Sequence, residues 1–431
     1  MTQSKQNNVL PIIMMFALFA MISFVTGLSN PMGVIVKTQF EASNFMSQLG
    51  NFANFIAYAF LGIPAGIMLK RKGYKMTALT AIAVGFIGVG FMYLSGVTES
   101  FAVYLLGAFV AGFSMCMLNT VVNPMLNTLG GGGKTGNQLM QFGGSLNSLS
   151  ATIIPVFVGY LIGSNIEKAS IADANPALFI AMGIFALAFL VLLAVRIPEP
   201  HMEKRDPNAV KVKDKYSPWS FRHFTLGAIA IFVYVGVEVG IPNFINLFMT
   251  EGAAGGGLGI DATTAGAVVG TYWFLMMIGR ISGGFIAGVA SPKAMISAVS
   301  ALAAILVTLG IFIPTDTMVS MPVFQSDISF GMAQVPASVL LFVVCGLCTS
   351  VMWGGIFNLA VEGLGKKYTA MGSGFFMVMV CGGGILPLIQ GQVADMAGFI
   401  SSYWVIVAGL VYMLFYALVG SKNVNKDIPV D

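Results

Sequence analysis

Few residues in this chain could do chemistry, and their setting narrows what that chemistry is. Glu238 is the one acid placed deep in a long apolar run, VYVGVEVGIPNF. A carboxylate held out of water must take a proton, sit beside a cation or accept hydrogen bonds. Each option describes a group that binds something: a coupling ion, Na+ or H+, or a ligand hydroxyl. Amides gather in similar apolar sequence: Asn30 beside Pro31, Asn119 and Asn123 before Pro124, Gln141 and Asn147, then Asn243 and Asn246. Amides both donate and accept hydrogen bonds, which suits the hydroxyls of a sugar. Trp273, with Tyr58, Tyr234, Tyr272 and Trp353, offers aromatic faces for the apolar side of a sugar ring. Taken singly, each amide also reads as glue between helices.

Enzyme chemistry has no visible basis, and no catalytic residue is assigned. There is no nucleophile–base pair, and His201 and His223 share one polar stretch. The four cysteines, Cys116, Cys345, Cys348 and Cys381, all lie in apolar runs. The Cys345–Cys348 spacing is a redox or zinc hint in soluble proteins; inside an apolar helix it reads as small packing residues. No metal site, disulfide framework or nucleic-acid surface is expected.

The elements that must position these residues are membrane helices. Of 431 residues, 57% are hydrophobic and only 9% charged, with a mean hydropathy of +0.87. Soluble domains carry about 25% charged residues. A helix needs about 20 residues to cross the hydrocarbon core, and apolar runs of that length recur twelve times. They cover 10–36, 45–69, 76–95, 101–126, 139–163, 176–196, 224–249, 263–290, 294–314, 335–361, 370–394 and 399–420. The polar stretch 198–222 separates two halves of six spans, 1–197 and 223–431. The run that starts near Leu10 reads as a retained first span, not a cleaved signal. With the N-terminus in the cytoplasm, 19 of the 21 Lys and Arg fall on that side, Arg280 included, leaving Lys37 and Lys168 across the membrane. That asymmetry is the positive-inside rule. On this reading no Lys or Arg is deep enough to partner Glu238. Glu362 pairs with Lys366, Lys367 or Arg280 at the inner rim, and Asp395 borders the outer one.

The halves echo one another. Span 5 has IIPVFVG where span 11 has ILPLIQG, and Ala65-Gly66 ends span 2 as Ala287-Gly288 ends span 8. Repeats of this kind build secondary transporters. The loop after span 2, GIMLKRKGYK, resembles the major facilitator signature G-x-x-x-D-R-x-G-R-K, with Gly66, Arg71, Gly73 and Lys75 in place and Lys70 where the signature has Asp. Arg71, Gly73 and Arg280 are read as gating residues.

Longer stretches are similar to the fucose/glucose-galactose sugar symporter family of the major facilitators. They are LNTVVNPMLNTLG in span 4, SLNSLSATIIP in span 5, YVGVEV in span 7, YWFLMMIGRISGG in span 8, and LGKKYTAMGSGFFMVMVCGGGILPLIQGQVAD through spans 10 and 11. The resemblance implies an all-α integral membrane protein with the major facilitator fold, twelve helices in two pseudo-symmetric halves. It implies a secondary sugar transporter working by alternating access, in a bacterial inner membrane, with both termini cytoplasmic. Asn30, Asn119, Gln141, Asn147, Glu238, Asn243, Asn246 and Trp273 would line its cavity. Proton-coupled members carry an Asp in span 1 and a Glu in span 4, where Asn30 and Asn119 stand here. Coupling would then fall to Glu238, with sodium as suitable as a proton. A monomer in lipid is expected, with no cofactor. The rival readings are an exporter of drugs or metabolites and a non-transporting sensor on the same fold.

Overall fold

The computed structural model describes residues 9–129, 133–162, 169–199, 216–286, 290–325 and 327–430. Its first half contains α1 (Val9–Gly27), α2 (Ser29–Gln39), the short α3 (Asn44–Ser47), α4 (Leu49–Thr98), α5 (Phe101–Leu129), α6 (Gly133–Ile162) and α7 (Asn175–Ala194). The second contains α8 (Arg222–Thr250), α9 (Ala262–Ile286), α10 (Pro292–Phe312), α11 (Ala337–Thr349), α12 (Met352–Val361), α13 (Gly365–Met379), α14 (Gly382–Ala397) and α15 (Phe399–Phe415).

Ten helical runs are long and apolar enough to cross a membrane, eleven when α11 and α12 count as one span bent by 41°. The twelfth is hidden in α4. At 50 residues this helix would be about 75 Å long if straight, twice the hydrocarbon core. It breaks at Gly73, where φ is 82° and ψ 175°. Only glycine adopts that backbone readily, so Gly73 is the joint between spans 2 and 3. The expected gating residue is thus first a hinge in the covalent path. Span 1 is broken too: α1 ends at Gly27 and α2 resumes at Ser29, because Pro31 has no N–H for the Gly27 carbonyl.

Small residues let the halves meet. Along spans 5 and 8, a side chain added at Gly266 would strike the Pro155 carbonyl, and one at Gly270 would strike Val156. Gly383 and Gly384 of span 11 lie against Phe55 and Phe52 of span 2. Close approach of this kind is how membrane helices associate without a hydrophobic drive between them.

One element departs from the all-helical expectation. Between α10 and α11 the chain forms a hairpin, β1 (Met318–Phe324) antiparallel to β2 (Phe330–Pro336), registered from Met318 opposite Pro336 to Phe324 opposite Phe330. Met321, Val323, Ala333 and Val335 are buried, and the Phe324 N–H donates to Thr271 Oγ1 of α9 at 2.9 Å. The sequence reading left 315–334 as a connection. Most of the linker, Lys168, His201 and the Ala287-Gly288 pair lie outside the described residues.

Candidate functional site

Glu238 sits mid-way along α8. Pro242, four residues on, cannot donate to its carbonyl, and the Tyr272 hydroxyl of α9 fills the vacancy at 3.1 Å. The same device recurs in span 11. Pro387 frees the Gly383 carbonyl, and Asn51 Nδ2 of span 2 donates to it at 2.7 Å, across the two halves. Prolines in these spans thus create acceptors that side chains of neighbouring helices satisfy.

The Glu238 carboxylate has a fixed partner. Arg280 Nη2 donates to Glu238 Oε1 at 3.2 Å, with the two side chains only 15% and 13% exposed. Arg280 Nη1 reaches the other half, donating to the Gly144 carbonyl at 2.8 Å and to Ser148 Oγ at 2.9 Å on α6. This corrects the sequence reading twice. Arg280 is not a rim residue, and Glu238 does not lack a cation. Arg280 lies six residues from the end of α9, which suggested the rim. Helical side chains lean toward the helix start, so its guanidinium enters the bundle a turn deeper than its Cα. It therefore does not serve Glu362, whose carbonyl instead meets His223 Nε2 at 2.9 Å.

Buried polar side chains lie near this pair on α8 and α9. Tyr234, one turn before Glu238, is fully buried beside both charges. Its hydroxyl is within hydrogen-bonding reach of Glu238 and Arg280. Its ring lies 6.3 Å from that of Trp353. Trp273 lies two turns before Arg280 on α9, buried, and its indole N–H has no partner among the described residues. A buried donor without an acceptor is costly, and a bound polyhydroxyl compound would satisfy it.

The remaining expected residues divide into two groups. Asn119 belongs to the first half's own network, donating to the Tyr58 hydroxyl at 2.9 Å and receiving Asn123 at its carbonyl at 2.9 Å. It makes no hydrogen bond to Glu238. Asn243 and Asn246 lie farther along α8, toward the face away from the termini. Asn243 Nδ2 donates to Gln48 Oε1 of the first half at 2.9 Å, and Asn246 lines a narrow cleft with Pro31, Pro155 and Gly266. Asn147 is half-buried on α6. Asn30 and Gln141 are helical in backbone, and their side chains lie outside the described part of the structure. Gln48 was not anticipated, because nothing in its local sequence marks it, and Ser148, although inside the SLNSLSATIIP stretch, was not assigned to the site.

The two faces of the bundle are fastened differently. On the face away from the termini, Lys37 pairs with Glu251 across the halves and donates to Asn44 Oδ1 at 2.6 Å. Asp395 of the second half accepts from the N–H groups of Asn44 and Phe45, both at 2.9 Å. On the face of the termini, several bonds among the described residues join parts of the same half. Glu199, just after span 6, accepts from the Tyr74 N–H at 2.5 Å and the Lys75 N–H at 3.0 Å. Lys75 Nζ in turn donates to the carbonyls of Leu193 and Val195, each at 2.8 Å. The signature's missing Asp, replaced by Lys70, is thus answered by a carboxylate from another span. Arg71 is exposed at this turn.

Comparison with known proteins agrees with this architecture. Residues 14–387 match the family model described as Major Facilitator Superfamily. The chain is 31% identical over 424 residues to a glucose/galactose transporter of Brucella abortus biovar 1 (strain 9-941), covering 98% of this chain and 97% of that one. It is 24% identical over 411 residues to the L-fucose-proton symporter of Escherichia coli (strain K12), covering 90% of this chain and 88% of that one. Among solved structures, that of the Major Facilitator Superfamily transporter FucP in the outward conformation has a TM-score of 0.68 at 19% identity, covering 97% of this chain and 100% of that one. Twelve spans in two halves, joined at close-packed glycines and sharing one central ion pair, are therefore the frame of a chain that belongs to the Major Facilitator Superfamily.

Proposed function

We propose that this chain is a secondary transporter of a monosaccharide, working by alternating access. The observation that carries the proposal is the Glu238–Arg280 pair in the seam between halves, joined by the buried Tyr234 hydroxyl, with the unpartnered Trp273 indole N–H two turns before Arg280 on the same helix. A polyhydroxyl ligand supplies both donors and acceptors to such a set. The names of the relatives, glucose/galactose transporter and L-fucose-proton symporter, support a sugar. Asn119, Asn147, Asn243, Asn246, Asn30 and Gln141 complete the proposed cavity.

Transport is coupled to a cation, Na+ or H+, taken up at Glu238. An arriving cation competes with Arg280 for the carboxylate, and Arg280 also holds Gly144 and Ser148 of the other half. Occupancy of Glu238 is thereby linked to the fastening of the halves. The protein acts as a monomer in a bacterial inner membrane, with both termini in the cytoplasm.

A thermal-shift screen against hexoses, deoxyhexoses and amino sugars, with and without sodium, tests the substrate class, since a bound ligand stabilises by mass action. We expect a neutral monosaccharide to raise the melting temperature; a screen in which none does sinks the proposal. For coupling, Glu238→Gln should keep sugar counterflow and lose accumulation. Accumulation at the parent level would remove Glu238 from that role. Thiols introduced at Ser217 and Ser421 should resist an impermeant reagent added outside intact cells; modification from outside would reverse the orientation.

A further inference from the structure

The central ion pair has a property that sugar binding alone does not require: it cancels. Arg280 is a permanent cation, and three of its five N–H donors are committed, to Glu238, Gly144 and Ser148. A buried guanidinium with N–H groups to spare is by itself a site for a carboxylate or phosphate. Glu238 changes that. With its oxygen 3.2 Å from the guanidinium, the pair has no net charge, and an anion that approaches the guanidinium also approaches a carboxylate.

We propose that Glu238, until it takes up the coupling cation, is a charge filter: it screens Arg280 so that the site takes uncharged sugars and rejects sugar acids. The inference rests on the monosaccharide reading above and names the chemical class within it. A neutral sugar hydroxyl can accept from the remaining guanidinium N–H groups and donate to the carboxylate, leaving the pair in place. A uronate must either displace Glu238 from Arg280 or lie within a few ångströms of it. Like charges so placed in a water-poor seam repel strongly. The surrounding groups add no competing charge: Tyr234, Trp273, Ser148 and the Gly144 carbonyl are all neutral. Specificity here comes from a repulsive element built into the site, as well as from attractive contacts.

The test compares galactose with galacturonate, which differ only at C6, by thermal-shift titration of purified full-length protein. In the parent, galacturonate should bind at least tenfold more weakly than galactose; equal binding overturns the filter with no variant needed. In Glu238→Gln, which keeps the shape and removes the charge, the ratio of the two affinities should move toward galacturonate by at least tenfold. In Glu238→Gln/Arg280→Gln, where no cation remains, that gain should vanish. An unchanged ratio in the single variant, or a gain that survives in the double one, overturns the proposal. If galactose binds the parent and the ratios do not move, the filter fails and the sugar reading stands. If no neutral monosaccharide binds the parent, both fail together.

Discussion

The two faces of the bundle use similar residues to opposite ends. Away from the termini, the ion pair and the carboxylate cap cross between halves: Lys37 to Glu251, and Asp395 to the start of α3. At the face of the termini, the bonds seen among the described residues include ones inside one half: Glu199 on Tyr74 and Lys75 in the first, His223 on Glu362 and Arg222 on Asn425 in the second. The first arrangement resists separation of the halves. The second stiffens each half. A rocking transporter needs both, because rigid halves must move against each other about a site that only one face covers at a time.

Breaking the crossing contacts should therefore have larger functional effects than breaking the internal ones. The largest effect is expected from Gly266→Val, whose added carbons meet the Pro155 carbonyl and approach Gly159. Wedging spans 5 and 8 apart should cut uptake by about a hundredfold while the protein still inserts, since these spans meet through small residues. Near-normal uptake would show that the seam tolerates separation there. A smaller effect is expected from Lys37→Met. Its pair is partly exposed, with side chains 18% and 23% accessible, so its loss is worth about 1 kcal/mol at most. That changes a two-state population by roughly fivefold. A cysteine at the buried Ser47 should then react with a water-soluble maleimide about five times faster. Smallest is Glu199→Gln, which weakens a cap worth about 1 kcal/mol. The melting temperature should fall by a few degrees with Ser47→Cys labelling unmoved. Faster labelling in that variant would erase the distinction between the faces.

How far the sequence alone reaches depends on the range of the interaction. Helix length is local, so the spans were legible, and their positions follow the apolar runs closely. The turn at Gly73 was legible as a signature glycine, although its partner Glu199 lies 126 positions away and nothing near either residue announces the other. The hairpin was missed because MVSMPVF and FGMAQVP are short and mixed in character, and pairing, a non-local event, makes them strands. Glu238 stood out through its surroundings, since a lone acid in apolar sequence is conspicuous. Arg280 did not, because position along a helix locates a Cα and not the end of a long side chain. The error was about one helical turn, and it concealed the pairing on which the site turns.

The hairpin between α10 and α11 carries a consequence for assembly. Its base is tied by the Ala337 N–H to the Thr317 carbonyl at 2.8 Å, and its seven registered pairs lead out to a turn at which Ile328 is 81% exposed. Exposed turns of this sort tolerate a severed chain. A gene split between Asp327 and Ile328 would yield one polypeptide ending in β1 and another beginning just before β2. Each piece contains whole spans, and each exposes one edge of the same ladder. The strands then act as a complementary fastening between separately synthesised fragments, so that this transporter could be rebuilt from two genes, with a reporter attached to each new end.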